Sequence, residues 1–233
     1  MTTRPTLTVL PGTPPIPVQW RWSGRARRLS LRVSRLDGRV TLTLPPRVAH
    51  AAAEAFLNAR EDWLRAAVAE AHAPCPVVAG TLLPVAGQPL QVIAAAARGV
   101  LAQGDRLLVP DRGPPGPRIA AWLKLQARDR LAVEVASFAE RLGREPRSLR
   151  LRDTRSRWGS CSSAGDLMFS WRLAMAPPEV LSYVAAHEVA HLAEMNHAPA
   201  YWRTLAGLMP GYEGPRQWLR REGTWLHRFR FSD

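Results

Sequence analysis

The stretch His187-Glu188-Val189-Ala190-His191 decides how this chain reads. Two histidines four residues apart on a helix stand one turn above each other, so both imidazoles can reach one metal ion. The glutamate between them points about 100° round the helix, beside such an ion rather than onto it. There it can take a proton from metal-activated water. Six histidines and eleven glutamates scattered at random through 233 residues give on the order of 0.01 such matches, so coincidence is a poor account. Val180, Val184, His187, His191 and Met195 fall on one helical stripe, with Leu181 and Glu188 on its flank. A buried pair of imidazoles needs partners, and a metal supplies them.

A catalytic zinc has three protein ligands and one open position. His197, six residues after His191, is the leading third ligand; Glu194 and His227 are the alternatives. A straight helix would swing position 197 away. Asn196 as a left-handed helix cap would return the chain to the metal. Glu194 stands where the metzincin pattern requires glycine, which excludes that class.

Working outward, Pro177-Pro178-Glu179 starts the motif helix, which is expected to run to about Met195. Helices are expected over Pro199–Met209 and Pro215–Glu222. Upstream, Arg147–Arg157 and Leu167–Leu173 read as strands around a turn at Ser162–Asp166. Ile119–Leu142 is an amphipathic helix with Ala120, Leu123, Ala127, Leu131, Val135 and Phe138 inward, stopped by Gly143. Pro74–Pro110 reads as a meander of short strands. The Gly/Pro run Asp111–Pro117 is the expected internal boundary. Val48–Ala73 reads as one helix with Ala52, Phe56, Ala59, Trp63 and Ala67 on its apolar side. Alternation over Leu29–Val33 and Val40–Leu44, with Asp37-Gly38 between, signals a hairpin. These divisions predict a flexible arm over 1–19, a β-hairpin, helix and short-strand part over 20–112, and a catalytic part over 113–233.

Composition sets the bounds. At 46% hydrophobic and 22% charged, the chain is globular and has length enough for a core without disulfides. No apolar run approaches a membrane span, so no membrane partner is expected. Residues 1–19 lack the apolar core of a secretory signal. Two cysteines, Cys75 and Cys161, exclude a disulfide scaffold and favour a reducing, cytoplasmic compartment. The net charge is +13, and Lys124 is the only lysine among 32 basic residues. Arginine-biased base composition accounts for this; an anionic partner, nucleotide or nucleic acid, is the sharper reading.

The run Arg157-Trp158-Gly159-Ser160-Cys161, then Trp171-Arg172-Leu173, then His187–Leu192, Asn196-His197, Tyr201-Trp202 and Trp218-Leu219 resembles the YgjP-like (DUF45) metallopeptidase family, which is related to SprT-type zinc proteases. The resemblance spans about Ser23 to Leu226. It implies an α+β fold with a zincin-like core, the motif helix packed on a small antiparallel sheet, and an N-terminal β-rich and helical extension. It also implies one zinc ion on His187, His191 and His197, with Glu188 as general base. Tyr201 departs from the family's usual Phe before Trp.

Four further residues are candidate substrate contacts. Trp158 and Ser160 lie on a strand edge to which an extended peptide can add. Arg172 can hold a carboxylate or grip a substrate anion. The Tyr201 hydroxyl can donate to an oxyanion. For Trp158, core packing is the simpler role, and for Tyr201 it is aromatic packing. Peptide or protein is the expected substrate. A zinc-dependent nucleotide phosphoanhydride hydrolase and a nucleic-acid-associated protease are the alternatives.

Overall fold

The computed structural model describes residues 6–34, 38–69 and 73–232. They form two compact units divided after Pro74. In the first, β1 (Leu7–Leu10), β2 (Ile16–Trp22), β3 (Ser30–Val33) and β4 (Val40–Leu44) make a sheet in the order β1-β2-β4-β3. Only β2 and β4 run parallel. Alternation decides the faces: Ile16, Val18 and Trp20 of β2 and Val40, Leu42 and Leu44 of β4 turn inward.

The N-terminal segment is therefore not a loose arm. Its described part supplies β1 and most of β2, and Leu10, Ile16 and Val18 are buried. The proline-rich link between these strands is clamped by Arg65, whose guanidinium donates to the carbonyls of Pro14 at 3.0 Å and Pro11 at 2.6 Å. The prolines mark the connection, not disorder. In the expected hairpin turn, Asp37 lies outside the described residues; the strands on either side pair antiparallel.

The expected single helix over 48–73 is two helices, α1 (His50–Asn58) and α2 (Glu61–Ala69). Glu61 and Asp62 occupy the first turn of α2, where the helix dipole favours acids. The buried stripe is Ala53, Leu57 and Leu64, one residue on from the expected one, and Trp63 is half exposed. An alanine-rich helix has two neighbouring apolar stripes, and periodicity cannot choose between them.

The second unit begins with β5 (Cys75–Pro76), β6 (Leu82–Val85), β7 (Gln88–Ala95), β8 (Leu101–Gln103) and β9 (Arg106–Pro110). Strands β6 to β9 form a sheet ordered β6-β7-β9-β8. Next come α3 (Pro115–Leu142), β10 (Ser148–Arg152), β11 (Gly159–Cys161) and β12 (Asp166–Ser170), with a 3-10 turn at Trp171–Met175. Then follow α4 (Pro178–Ala190), α5 (Pro199–Leu208), α6 (Glu213–Glu222), a 3-10 stretch at Gly223–Arg228, and β13 (Phe229–Arg230), which pairs with β5.

The inner face of α3 is as the sequence predicts from Leu123 to Phe138, with Ile119 rather than Ala120 buried at its start. Gly143 caps the helix in the left-handed conformation (φ 70°). The strand meander does not belong with the first unit. Leu83, Leu90, Val92, Leu107 and Val109 share one core with α3 and α4. Its tight turn bonds to the 3-10 segment, Ala86 N–H to the Ala174 carbonyl at 2.8 Å and Gly87 N–H to Met175 at 3.1 Å. A side chain at Gly87 would meet Pro177, so this turn fixes where α4 starts.

The three-stranded sheet, ordered β10-β12-β11, is mixed rather than antiparallel: β10 and β12 run parallel, β11 and β12 antiparallel. The connection over 153–158 carries the chain to the far side of β12, which lets β12 return parallel to β10. Strand β11 is the edge and faces α4, which also packs on α3, α5 and α6. Among the described residues, no helix is long and apolar enough to cross a membrane.

Candidate metal centre

Helix α4 carries His187 and Glu188 in its last turn and stops at Ala190 rather than near Met195, which is half exposed. The chain tightens there: Leu192 N–H bonds to the Val189 carbonyl and Ala193 N–H to that of Ala190. His191 is the helix cap. The turn that follows uses the Asn196 side chain, not a left-handed backbone: Oδ1 of Asn196 accepts from Ala198 N–H at 3.0 Å. Among the described residues, Ala86 alone outside glycine has positive φ.

This turn returns His197 to α4. A ligand nitrogen from each of His187, His191 and His197 lies within 4.8 Å of the other two. Nε2 of His197 and Nε2 of His187 are 3.3 Å apart. Two nitrogens bound to a tetrahedral zinc at about 2.05 Å stand roughly 3.3 Å apart, so this pair is spaced as such an ion would need. Protonation fits as well. Burial, helped by His191 and His197, holds the His187 imidazole down to about 3, so it is neutral near pH 7. His191 is pushed the same way, chiefly by burial. Nδ1 of His191 bonds to the Glu194 carbonyl at 2.9 Å, which fixes that nitrogen as the donor and leaves Nε2 its lone pair. Glu194 thus offers the cluster its backbone, not its carboxylate.

Aromatic rings hold the imidazoles. Tyr201 is fully buried, with its ring 5.3, 4.5 and 4.6 Å from those of His187, His191 and His197. Its hydroxyl donates to the His187 carbonyl at 3.1 Å, in the helix turn whose carbonyls run out of intrahelical donors. That bond occupies the hydroxyl proton proposed for an oxyanion. Trp202 stacks on His197 and donates its indole N–H to the His197 carbonyl at 3.0 Å.

The Glu188 carboxylate is buried at 5% exposure. Burial pushes it up to about 8, and Arg157 pulls it back. A cation on the imidazoles acts in the same direction as Arg157. The niche exists because β11 opens with glycine: a side-chain carbon at Gly159 would strike the Glu188 carboxylate. Burial, with Glu188 next in weight, raises the Cys161 thiol to about 11, which keeps it protonated near pH 7.

Two other sequence candidates make contacts within the fold. Arg172 is buried; it holds Asp153 by Nε at 2.7 Å and Nη2 at 3.2 Å, and donates from Nη1 to the carbonyls of Leu226 and Phe229 at 3.1 Å each. Those bonds anchor the C-terminal end of the chain and take up most of the guanidinium's donors. Trp158 packs on His227 with ring centroids 4.9 Å apart. His227 is buried rather than on the surface, and is no part of the histidine cluster. Ser160 remains half-buried on the β11 edge. Gly159, Asp153 and Trp202 are the contributors that residue-type reasoning misses. Only the Trp202 spacing, five residues after His197, offers a signal.

The mixed α+β fold brings three imidazoles together beside a buried carboxylate, the donor set of a candidate metal centre. Residues 27–222 match the model of the YgjP-like metallopeptidase domain. The chain belongs to the YgjP-like metallopeptidase family. Among solved structures it is similar to the crystal structure of the metallopeptidase zymogen of Pyrococcus abyssi abylysin, at 19% identity and a TM-score of 0.36, over 40% of this chain and 95% of that one. No curated protein matches it.

Proposed function

We propose that the chain is a zinc-dependent peptidase in which His187, His191 and His197 hold one zinc ion and Glu188 is the general base. The observation that carries this is the convergence of the three ring nitrogens within 4.8 Å, beside a buried carboxylate that sits against Gly159. Zinc bound there supplies a Lewis acid that polarises the scissile carbonyl. Glu188 takes a proton from the attacking water on a carboxylate oxygen and hands it to the departing amine nitrogen. Its burial favours that transfer, since a carboxylate taken out of water is the stronger base. Tyr201 and Trp202 keep the imidazoles in place while this happens.

The β11 edge supports an extended peptide as substrate. It leaves backbone groups on the outer side of the sheet, next to Glu188, and Ser160 lies at its middle. An unfolded protein such as casein, incubated with the zinc-loaded chain, is cut by the wild type and left intact by Glu188→Gln, with zinc content equal in both. Cleavage by Glu188→Gln at the wild-type rate refutes the base; release of pyrophosphate from nucleoside triphosphates without proteolysis refutes the substrate class.

A further inference from the structure

In the first unit, β3 is an edge of the four-stranded sheet and pairs only with β4 among the described strands. Ser34 N–H bonds to the Arg39 carbonyl at 2.9 Å. In an antiparallel ladder the bonded pairs alternate, so Ser30 and Arg32 also turn their backbone groups to β4. On the other side of β4, the Leu44 carbonyl accepts from Ser23 N–H at 2.9 Å, which gives the same alternation. The N–H and C=O groups of Leu31 and Val33 therefore point out from the sheet edge. Such an edge is a template for a further strand.

Beside it lies a groove of about 730 Å3. Leu29 and Leu31 line it from the strand side, Phe56 from α1 and Trp63 from α2. Trp63 is 51% exposed, although its neighbour Leu64 is fully buried. The only charged residues lining the groove are Arg28 and Arg60. The Arg60 guanidinium lies 3.9 Å over the Phe56 ring. Among the described residues neither arginine pairs with a carboxylate. Glu61, the acid next to Arg60, is held by Arg65 at 2.8 Å. Arg32, in β3 itself, is exposed.

We propose that β3 and this groove form a docking site for an extended, acidic polypeptide segment. The segment adds to the sheet as a strand beyond β3, bonded to the backbone of Leu31 and Val33. One of its apolar or aromatic side chains enters the groove against Phe56 and Trp63, and its carboxylates meet Arg28, Arg32 and Arg60. Backbone bonds supply affinity in this mode, and the pocket beside the edge supplies selection. Side chains alternate along the added strand, so residues next to the groove-filling one fall on the face where Arg32 stands. Single-stranded nucleic acid also uses arginines and aromatic rings, but it has no ladder of N–H and C=O groups to match the edge. The histidine cluster belongs to the other unit, so this site does not depend on the peptidase reading.

Fluorescence anisotropy of a short labelled peptide, a central phenylalanine among glutamates, tests this. The protein is the zinc-loaded full chain, with Glu188→Gln in every sample to keep the probe whole. Binding is expected to be saturable. Trp63→Ser and Arg60→Glu are each expected to weaken it about tenfold, as loss of an anchor or a charged contact does. The same peptide N-methylated along its backbone keeps its charge and side chains and is expected to bind at least about tenfold more weakly. Circular dichroism checks each variant; the methylated probe needs no variant and decides alone if one does not fold. No saturable binding, equal affinity for the methylated peptide, or unchanged affinity in a folded Trp63→Ser chain overturns the proposal. So does an oligothymidylate that binds more tightly than the peptide and displaces it, which would give the groove to nucleic acid.

Discussion

A side-chain carbon at Gly159 would lie 2.6 Å from Cγ of Glu188 and 2.8 Å from its Cδ. The first residue of an edge strand thus sets where the carboxylate sits. Gly159→Ala is expected to displace Glu188 without touching the histidines. An ångström-scale misplacement of a catalytic group costs on the order of a hundredfold in rate, and overpacking costs about 1–3 kcal/mol in stability. Turnover of a peptide substrate, measured alongside zinc content, checks this: activity falls while the metal stays. A Gly159→Ala enzyme that turns over at the wild-type rate would show that the niche has no bearing on Glu188.

Tyr201 joins the three imidazoles to the end of α4. Tyr201→Phe keeps the ring and loses the bond to the His187 carbonyl, at an expected cost of about 1 kcal/mol. Tyr201→Ala also removes the floor of the cluster and is expected to cost about 3–5 kcal/mol and to weaken zinc about 10–100-fold. Denaturant melts and competition with a zinc chelator separate the two effects. Tight zinc binding by the alanine variant would assign the ring to packing alone.

The Arg172–Asp153 pair holds the C-terminal end of the chain through the carbonyls of Leu226 and Phe229. Asp153→Asn leaves the buried guanidinium with weaker partners. Because the Asp153 side chain is about half exposed, the expected cost is held to about 1–2 kcal/mol. Peptidase activity per folded molecule should be unchanged. A raised KM at unchanged stability would return Arg172 to the substrate site.

His227 makes stability depend on pH. Burial first, then Arg172, hold its imidazole down to about 4 in the folded chain, with Arg155 and Arg230 acting in the same direction against Asp153. Unfolded, it titrates near 6.5. Between those values the unfolded state binds more protons, so stability is complete above about pH 6.5 and falls as pH drops toward 4. Tm measured across that window should decline, and His227→Phe should flatten the decline. A parallel decline in both proteins would trace it to other groups.

The metal motif is legible in the sequence because its spacing is a geometric demand: residues 187 and 191 must stack on a helix to share an ion. His197 is legible only as a ranking, since its approach depends on the Asn196 side chain and the early end of α4. The α3 stripe is readable because its leucines leave one apolar face. The helix over 48–73 is not, because alanine fills two neighbouring faces and an acid pair starts a second helix midway. The prolines before Ile16 suggest looseness, whereas Arg65, far away in sequence, holds them. Arg172 reads as a ligand grip because a sequence cannot say which carboxylate, here Asp153, an arginine reaches.

Zinc held by three imidazoles must show in the metal content of the protein. The purified full chain, loaded and then exhaustively dialysed, is expected to hold one zinc per molecule by elemental analysis. His197→Ala is expected to lose it at the same free-zinc level while keeping its fold. A wild-type chain without bound metal, or a His197→Ala chain that retains one zinc with undiminished affinity, would contradict the account.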